Sequence, residues 1–228
     1  MYDSLSASEL LIPVLTVTIL FFAFDFWRRI REVEPGAALW AALVIALWVG
    51  LALFATANPA VRETIVRVPG LQPVLAIALV LGATSLAFWP PFRRAFDRVR
   101  FEDMLTFFYW RAVFGALLLT AFAVGRLPAA FAVPAGLGDM AVAGLMILLL
   151  ALKPARGPLP RAPLLIWNTL GLLDLVLSVG VLAITVLRPW AQARGLPSGN
   201  FGLQLFVVPL FVAVHLHIFG RLWREARG

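Results

Sequence analysis

Pro90-Pro91-Phe92-Arg93-Arg94-Ala95-Phe96-Asp97-Arg98-Val99-Arg100 carries four arginines in eleven residues. It separates two apolar runs, 71–89 and 104–123, that hold one charge between them, Arg111. Each run is close to the ~20 apolar residues that a helix needs to cross a hydrocarbon core. The paired prolines punctuate the end of the first run. A cluster of arginines between two runs of that length reads as a cytoplasmic loop, because basic residues are retained on that side of a membrane.

The same alternation extends in both directions. Apolar stretches near 9–27, 37–57, 71–89, 104–123, 130–152, 164–187 and 202–220 predict seven transmembrane helices joined by short connections. One set of connections holds Arg28, Arg29 and Arg31, then the four arginines above, then Lys153, Arg156 and Arg161, then Arg221, Arg224 and Arg227. The alternate set holds only Arg62, Arg67, Arg126, Arg188 and Arg194. Thirteen against five fixes the expected orientation, N-terminus outside and C-terminus cytoplasmic. Trp27, Trp40, Trp89, Trp167 and Trp223 fall at the basic helix ends, where indole rings favour the headgroup level. The expected fold is all-α, one seven-helix domain over residues 1–228.

Composition agrees and removes several functions. The 228 residues are 62% hydrophobic and 14% charged, where a soluble domain carries about 25% charge. Without cysteine there are no disulfides, thiolate nucleophiles or thiolate metal sites. The net charge of +7 reads as a topology signal, not as a nucleic-acid interface. Met1-Tyr2-Asp3-Ser4 lacks the positive n-region of a cleavable signal peptide, so the first helix is expected to be retained. Eighteen arginines against one lysine suggest a GC-rich bacterial genome, and the inner membrane as the location.

Ionisable groups at bilayer depth are expensive and point to function. The candidates are Arg111, Asp139, Asp174, His215 and His217, with Asn168 and Gln204 as uncharged companions. Asp139 and Asp174 lie near the middle of helices five and six, and Arg111 lies about 10 Å inside helix four at ~1.5 Å per residue. At about 100° per residue, Asn168, Gly171, Asp174, Ser178 and Thr185 form one polar stripe on helix six. Ala135, Asp139 and Ala143 share a face of helix five on which a neighbour can approach closely. His215 and His217 point to opposite sides of helix seven, and His217 reads as a packing residue. Asp25 is expected to pair with Arg29, one turn away, at the cytoplasmic interface.

Several chemistries fail on inventory. A retinal Schiff base needs a lysine in the last helix, and the only lysine is Lys153. Bis-histidine haem needs ligands from both faces of the ring, but both histidines share one helix. A closed zinc site lacks ligands for the same reason. No cofactor or metal is therefore expected.

Gly136-Leu137-Gly138-Asp139 resembles the GxGD motif of presenilin-like and prepilin-peptidase-like intramembrane aspartic proteases. That resemblance implies a second aspartate sharing a proton with Asp139, for which Asp174 is the partner at similar depth. The family's other aspartate precedes its GxGD, whereas Asp174 follows it, and no Pro-Ala-Leu motif is present. Seven-helix sugar transporters are similar in size and topology, but their Pro-Gln signature is missing. The segments LPAAFAVPAGLGD (127–139) and WNTLGLLDL (167–175) resemble a group of bacterial membrane proteins of about this length with no assigned activity. That resemblance implies one site containing Asp139, Asn168 and Asp174. The expectation is a small membrane transporter or ligand-binding sensor, with Asp139, Asp174, Arg111, Asn168 and His215 facing a small molecule or ion. The alternatives are an intramembrane aspartyl hydrolase and an accessory membrane subunit without a site.

Overall fold

A computed structural model describes residues 7–68, 71–154, 157–193 and 206–227, and every regular element among them is helical. In chain order these are α1 (Ala7–Val33), α2 (Pro35–Ala57), α3 (Pro59–Arg67), α4 (Leu71–Phe88), α5 (Pro90–Arg98), α6 (Phe101–Thr106), α7 (Tyr109–Ala123), α8 (Ala129–Ala151), α9 (Arg161–Leu175), a π-wound segment (Val176–Leu187), α10 (Arg188–Gln192) and α11 (Val208–Glu225). Among the described residues four helical stretches are long and apolar enough to cross a membrane: Pro35–Ala55, Phe101–Ala123, Ala129–Ala151 and Arg161–Trp190.

Local chemistry sets the boundaries. Pro35, Pro59 and Pro90 open α2, α3 and α5, where the missing N–H costs nothing. The Asn58 side chain caps α3 by accepting the N–H groups of Ala60 and Val61 at 3.0 and 3.2 Å. At the end of α7 the N–H of Arg126 reaches back to the Ala121 carbonyl and that of Gly125 to Phe122. Gly125 sits at φ 73°, so this is the left-handed stop that glycine allows.

Two long helices depart from uniform winding. Between α6 and α7 the N–H groups of Phe107, Phe108, Trp110 and Arg111 bond three residues back, a tightened turn immediately before Arg111. Beyond Leu175 the winding widens to the π form over twelve residues. Fewer degrees per residue carry Thr185 off the polar stripe expected at uniform pitch. Asn168, Gly171 and Ser178 are buried, whereas Thr185 is exposed and bonds only to the Val181 carbonyl.

The basic segments converge on one end of the bundle. Arg98 pairs with Glu34, and Arg29 donates to the Asp103 carbonyl at 2.5 Å, tying the first segment to the second. Lys153 pairs with Glu102, Arg161 donates to the Glu225 carbonyl at 2.7 Å, and Arg224 meets Asp97 at 2.6 Å. Asp25 accepts from Arg29, as the one-turn spacing foresaw, and also from Arg28 and from the Trp110 indole at 3.1 Å.

The aromatic centre lies where α1, α7 and α11 meet. Phe22, Phe108 and Phe211 are buried there, with Phe108 and Phe211 stacked at 5.4 Å. Helix α11 has buried residues on all sides and packs against both α4 and α9. Its two histidines do point to opposite sides, and both directions are interior. Trp167 departs from the expected tryptophan belt: it is 3% exposed and donates to the Val142 carbonyl of α8 at 2.9 Å.

Candidate functional site

The site forms where α7, α8 and α9 cross. Helices α7 and α8 touch backbone to backbone: a Cβ on Gly115 would lie 2.5 Å from the Gly136 carbonyl oxygen, and one on Gly136 would lie 2.9 Å from that of Gly115. The approach brings Arg111 of α7 against Asp139 of α8. The Arg111 side chain is wholly buried and joins three helices. Its Nε donates to Asp139 Oδ1 at 2.6 Å, one terminal nitrogen donates to the Gly171 carbonyl at 2.9 Å, and the other pairs with Asp174 Oδ2. The guanidinium carbon also lies 5.9 Å from the Phe211 ring centre.

Charge and accessibility are unequal within this triad. Two carboxylates meet one guanidinium, so the fully ionised group carries one excess negative charge. Arg111 is 0% exposed, whereas the Asp139 and Asp174 side chains each retain 16%.

The two glycines of Gly136-Leu137-Gly138-Asp139 have separate packing tasks. Gly136 permits the α7–α8 contact, and Gly138 makes room for the Asp174 carboxylate, which a Cβ there would overlap. An aspartyl pair needs a proton shared between its carboxylates. Here each carboxylate receives an N–H of the same guanidinium instead.

Asn168 and His215 form a second buried pair between α9 and α11, each 0% exposed. The Asn168 amide nitrogen donates to the His215 backbone carbonyl at 3.0 Å, which turns its oxygen toward His215 Nδ1 at 2.8 Å. That oxygen only accepts, so Nδ1 carries the hydrogen and Nε2 keeps a lone pair without a hydrogen-bond partner. The ring packs on Gly171, where a Cβ would fall 2.9 Å from Nε2, and against Phe108 and Trp167. Gly171 thus has the imidazole against its α-carbon and Arg111 on its carbonyl.

The five expected site residues fall in two adjoining groups, Arg111, Asp139 and Asp174 where α7, α8 and α9 cross and Asn168 with His215 between α9 and α11, which meet at Gly171. Gln204 lies outside the described residues. His217 is apart, between Phe88 and Phe96, with Nε2 3.3 Å from Asp97. Among the described residues no three histidine or acidic side chains gather to hold a metal ion. An apolar cavity of about 30 Å³ lies between α1, α2, α4, α5 and the start of α11, lined by Phe26, Trp48 and Phe206 among others and by no residue of the triad. Sequence reasoning missed Trp110 as a partner of Asp25 and the packing duties of Gly115, Gly138 and Gly171. Small residues next to charged ones within apolar runs were the available signal.

A family model described as a domain of unknown function, DUF8737, matches residues 68–223. The chain belongs to the DUF8737 family. The matched region contains Arg111, Asp139, Asn168, Asp174 and His215, and Asp25 lies before it. No curated protein and no solved structure matches the chain.

Proposed function

We propose that this DUF8737 protein is a small polytopic membrane transporter, or a membrane sensor of the same build, whose centre takes up a small cation, proton included, on Asp139 and Asp174. The topology in this reading is seven spans in a bacterial inner membrane, N-terminus outside and C-terminus cytoplasmic. The convergence of all four basic segments on one bundle end supports it, since seven crossings return those segments to one side. The spans near 9–27, 71–89 and 202–220 complete the four stretches of full membrane length.

One observation carries the cation: two partly exposed carboxylates share a single, wholly buried guanidinium. The excess negative charge attracts a cation, and carboxylate oxygens are the acceptors that would hold it. Uptake weakens the hold of Arg111 on one or both carboxylates, and so loosens the three-helix junction. Ligand binding is thereby linked to helix movement.

The test is stability as a function of cation. The full chain in a neutral detergent is unfolded in Na⁺, K⁺, NH₄⁺ or a bulky organic cation at constant ionic strength, and across pH. A ligand at ten times its dissociation constant adds about 1.4 kcal/mol. The expected result is stabilisation by one of the small cations or by protons, absent in Asp139→Asn and Asp174→Asn. Equal stability in every condition would overturn the reading and leave the triad as a device that fixes helix register.

A further inference from the structure

Helix α5 ends the α4 run and lies across the arginine-rich end. Phe92, Ala95 and Phe96 are buried, so the opposite side of the helix faces outward. Its three arginines are not equivalent. Arg93 meets Asp97 at 3.5 Å and Arg98 pairs with Glu34. Arg94 is exposed and, among the described residues, has no acidic partner. Immediately before α5, Trp89 is 40% exposed and meets Trp40 of α2 edge to face at 6.3 Å.

Below that tryptophan pair run two exposed apolar stripes. On α2 the residues Trp40, Leu43 and Leu47 follow one another at helical spacing, each more than half exposed. On α4 Leu81 and Phe88 do the same, seven residues apart, at 61% and 40%. A guanidinium without an acidic partner among the described residues, five residues after the paired Trp89 and on a helix that begins at it, together with the apolar stripes, offers the chemistry of one phospholipid molecule: phosphate, interface and acyl chain.

We infer that a phospholipid with an anionic headgroup binds here, its phosphate on Arg94, its glycerol region against Trp40 and Trp89, and its chains along α2 and α4. The inference rests on the membrane reading above. Charge complementarity selects the headgroup, because a zwitterionic lipid carries a cation beside its phosphate that Arg94 repels. Arg227 is the internal control: it is exposed at the same bundle end and stacks on Trp223 at 4.7 Å, not on the Trp40–Trp89 pair.

The experiment counts lipids bound to the full chain released from detergent in a native mass spectrometer, with phosphatidylglycerol, phosphatidylcholine or glycerol phosphate added. The expected result is preferential retention of phosphatidylglycerol. Arg94→Gln should weaken that retention about fivefold, the weight of one arginine near an anionic surface. Arg227→Gln should weaken it less than twofold. Equal binding of phosphatidylcholine, equal effects of the two variants, or full competition by glycerol phosphate would each overturn the assignment. Recovery of the chain in the soluble fraction of cells would instead overturn the membrane reading itself.

Discussion

Arg111→Met is the perturbation that asks most of the site. Methionine keeps an unbranched apolar stem and removes the guanidinium, so Asp139, Asp174 and the Gly171 carbonyl lose their shared donor. Removing one partner of a buried ion pair costs about 3–5 kcal/mol, because the other charge stays behind uncompensated. Here two carboxylates remain, each only 16% exposed. The carbonyl adds about 1 kcal/mol for a lost hydrogen bond. The expected loss is therefore about 4–6 kcal/mol of unfolding free energy, summed from those two costs. The assay is reversible unfolding of the full chain in mixed micelles, followed by tryptophan fluorescence and circular dichroism. A triple variant, R111M/D139N/D174N, removes all three charges and should recover to within about 2 kcal/mol of the wild type. A loss below about 1 kcal/mol in Arg111→Met, or a triple variant no better than the single one, would refute the reasoning.

Three further outcomes follow from the same geometry. Gly138→Ala drives a methyl group into the Asp174 carboxylate and should cost about 1–3 kcal/mol; in an Asp174→Ala background the cost should fall by at least half, and equal costs in the two would show that the contact is not the cause. Asn168→Leu strips His215 of both its Asn168 hydrogen bonds, and unfolding should report a loss of about 2–3 kcal/mol, whereas a neutral result would mean the pair is dispensable. Because the chain has no cysteine, single cysteines map sidedness directly: an impermeant maleimide should label Glu63→Cys and Arg126→Cys on intact cells, and Arg100→Cys and Arg227→Cys only after lysis. The reverse pattern would invert the orientation.

The sequence carried the helices further than it carried their contacts. Apolar run length and arginine alternation located the long elements, since both follow from the chain alone. Helix α5 was hidden inside an arginine-rich connection, although Pro90 at its start and buried Phe92, Ala95 and Phe96 give it an amphipathic pattern. The phase of Thr185 failed because uniform pitch was assumed across a segment that winds as a π-helix. Trp167 was placed in a belt by its position near a helix end, yet its N–H finds the Val142 carbonyl inside the bundle. The composition of the buried charged cluster was legible, because charge inside an apolar run is rare for physical reasons. Its wiring was not. Which carboxylate takes Nε, and that Asn168 sets the His215 tautomer, depend on which helix faces sit together, and Gly115, Gly136, Gly138 and Gly171 decide that.

Cation-coupled charge movement gives the most direct test of the central claim. Proteoliposomes adsorbed on a solid-supported membrane are exposed to rapid jumps in pH, Na⁺, K⁺ and NH₄⁺. A transient current is expected for at least one of these ions with the wild-type chain, lost in Asp139→Asn and in Asp174→Asn while both variants remain folded. A wild-type signal indistinguishable from that of protein-free vesicles, or one that survives in both variants, would contradict it.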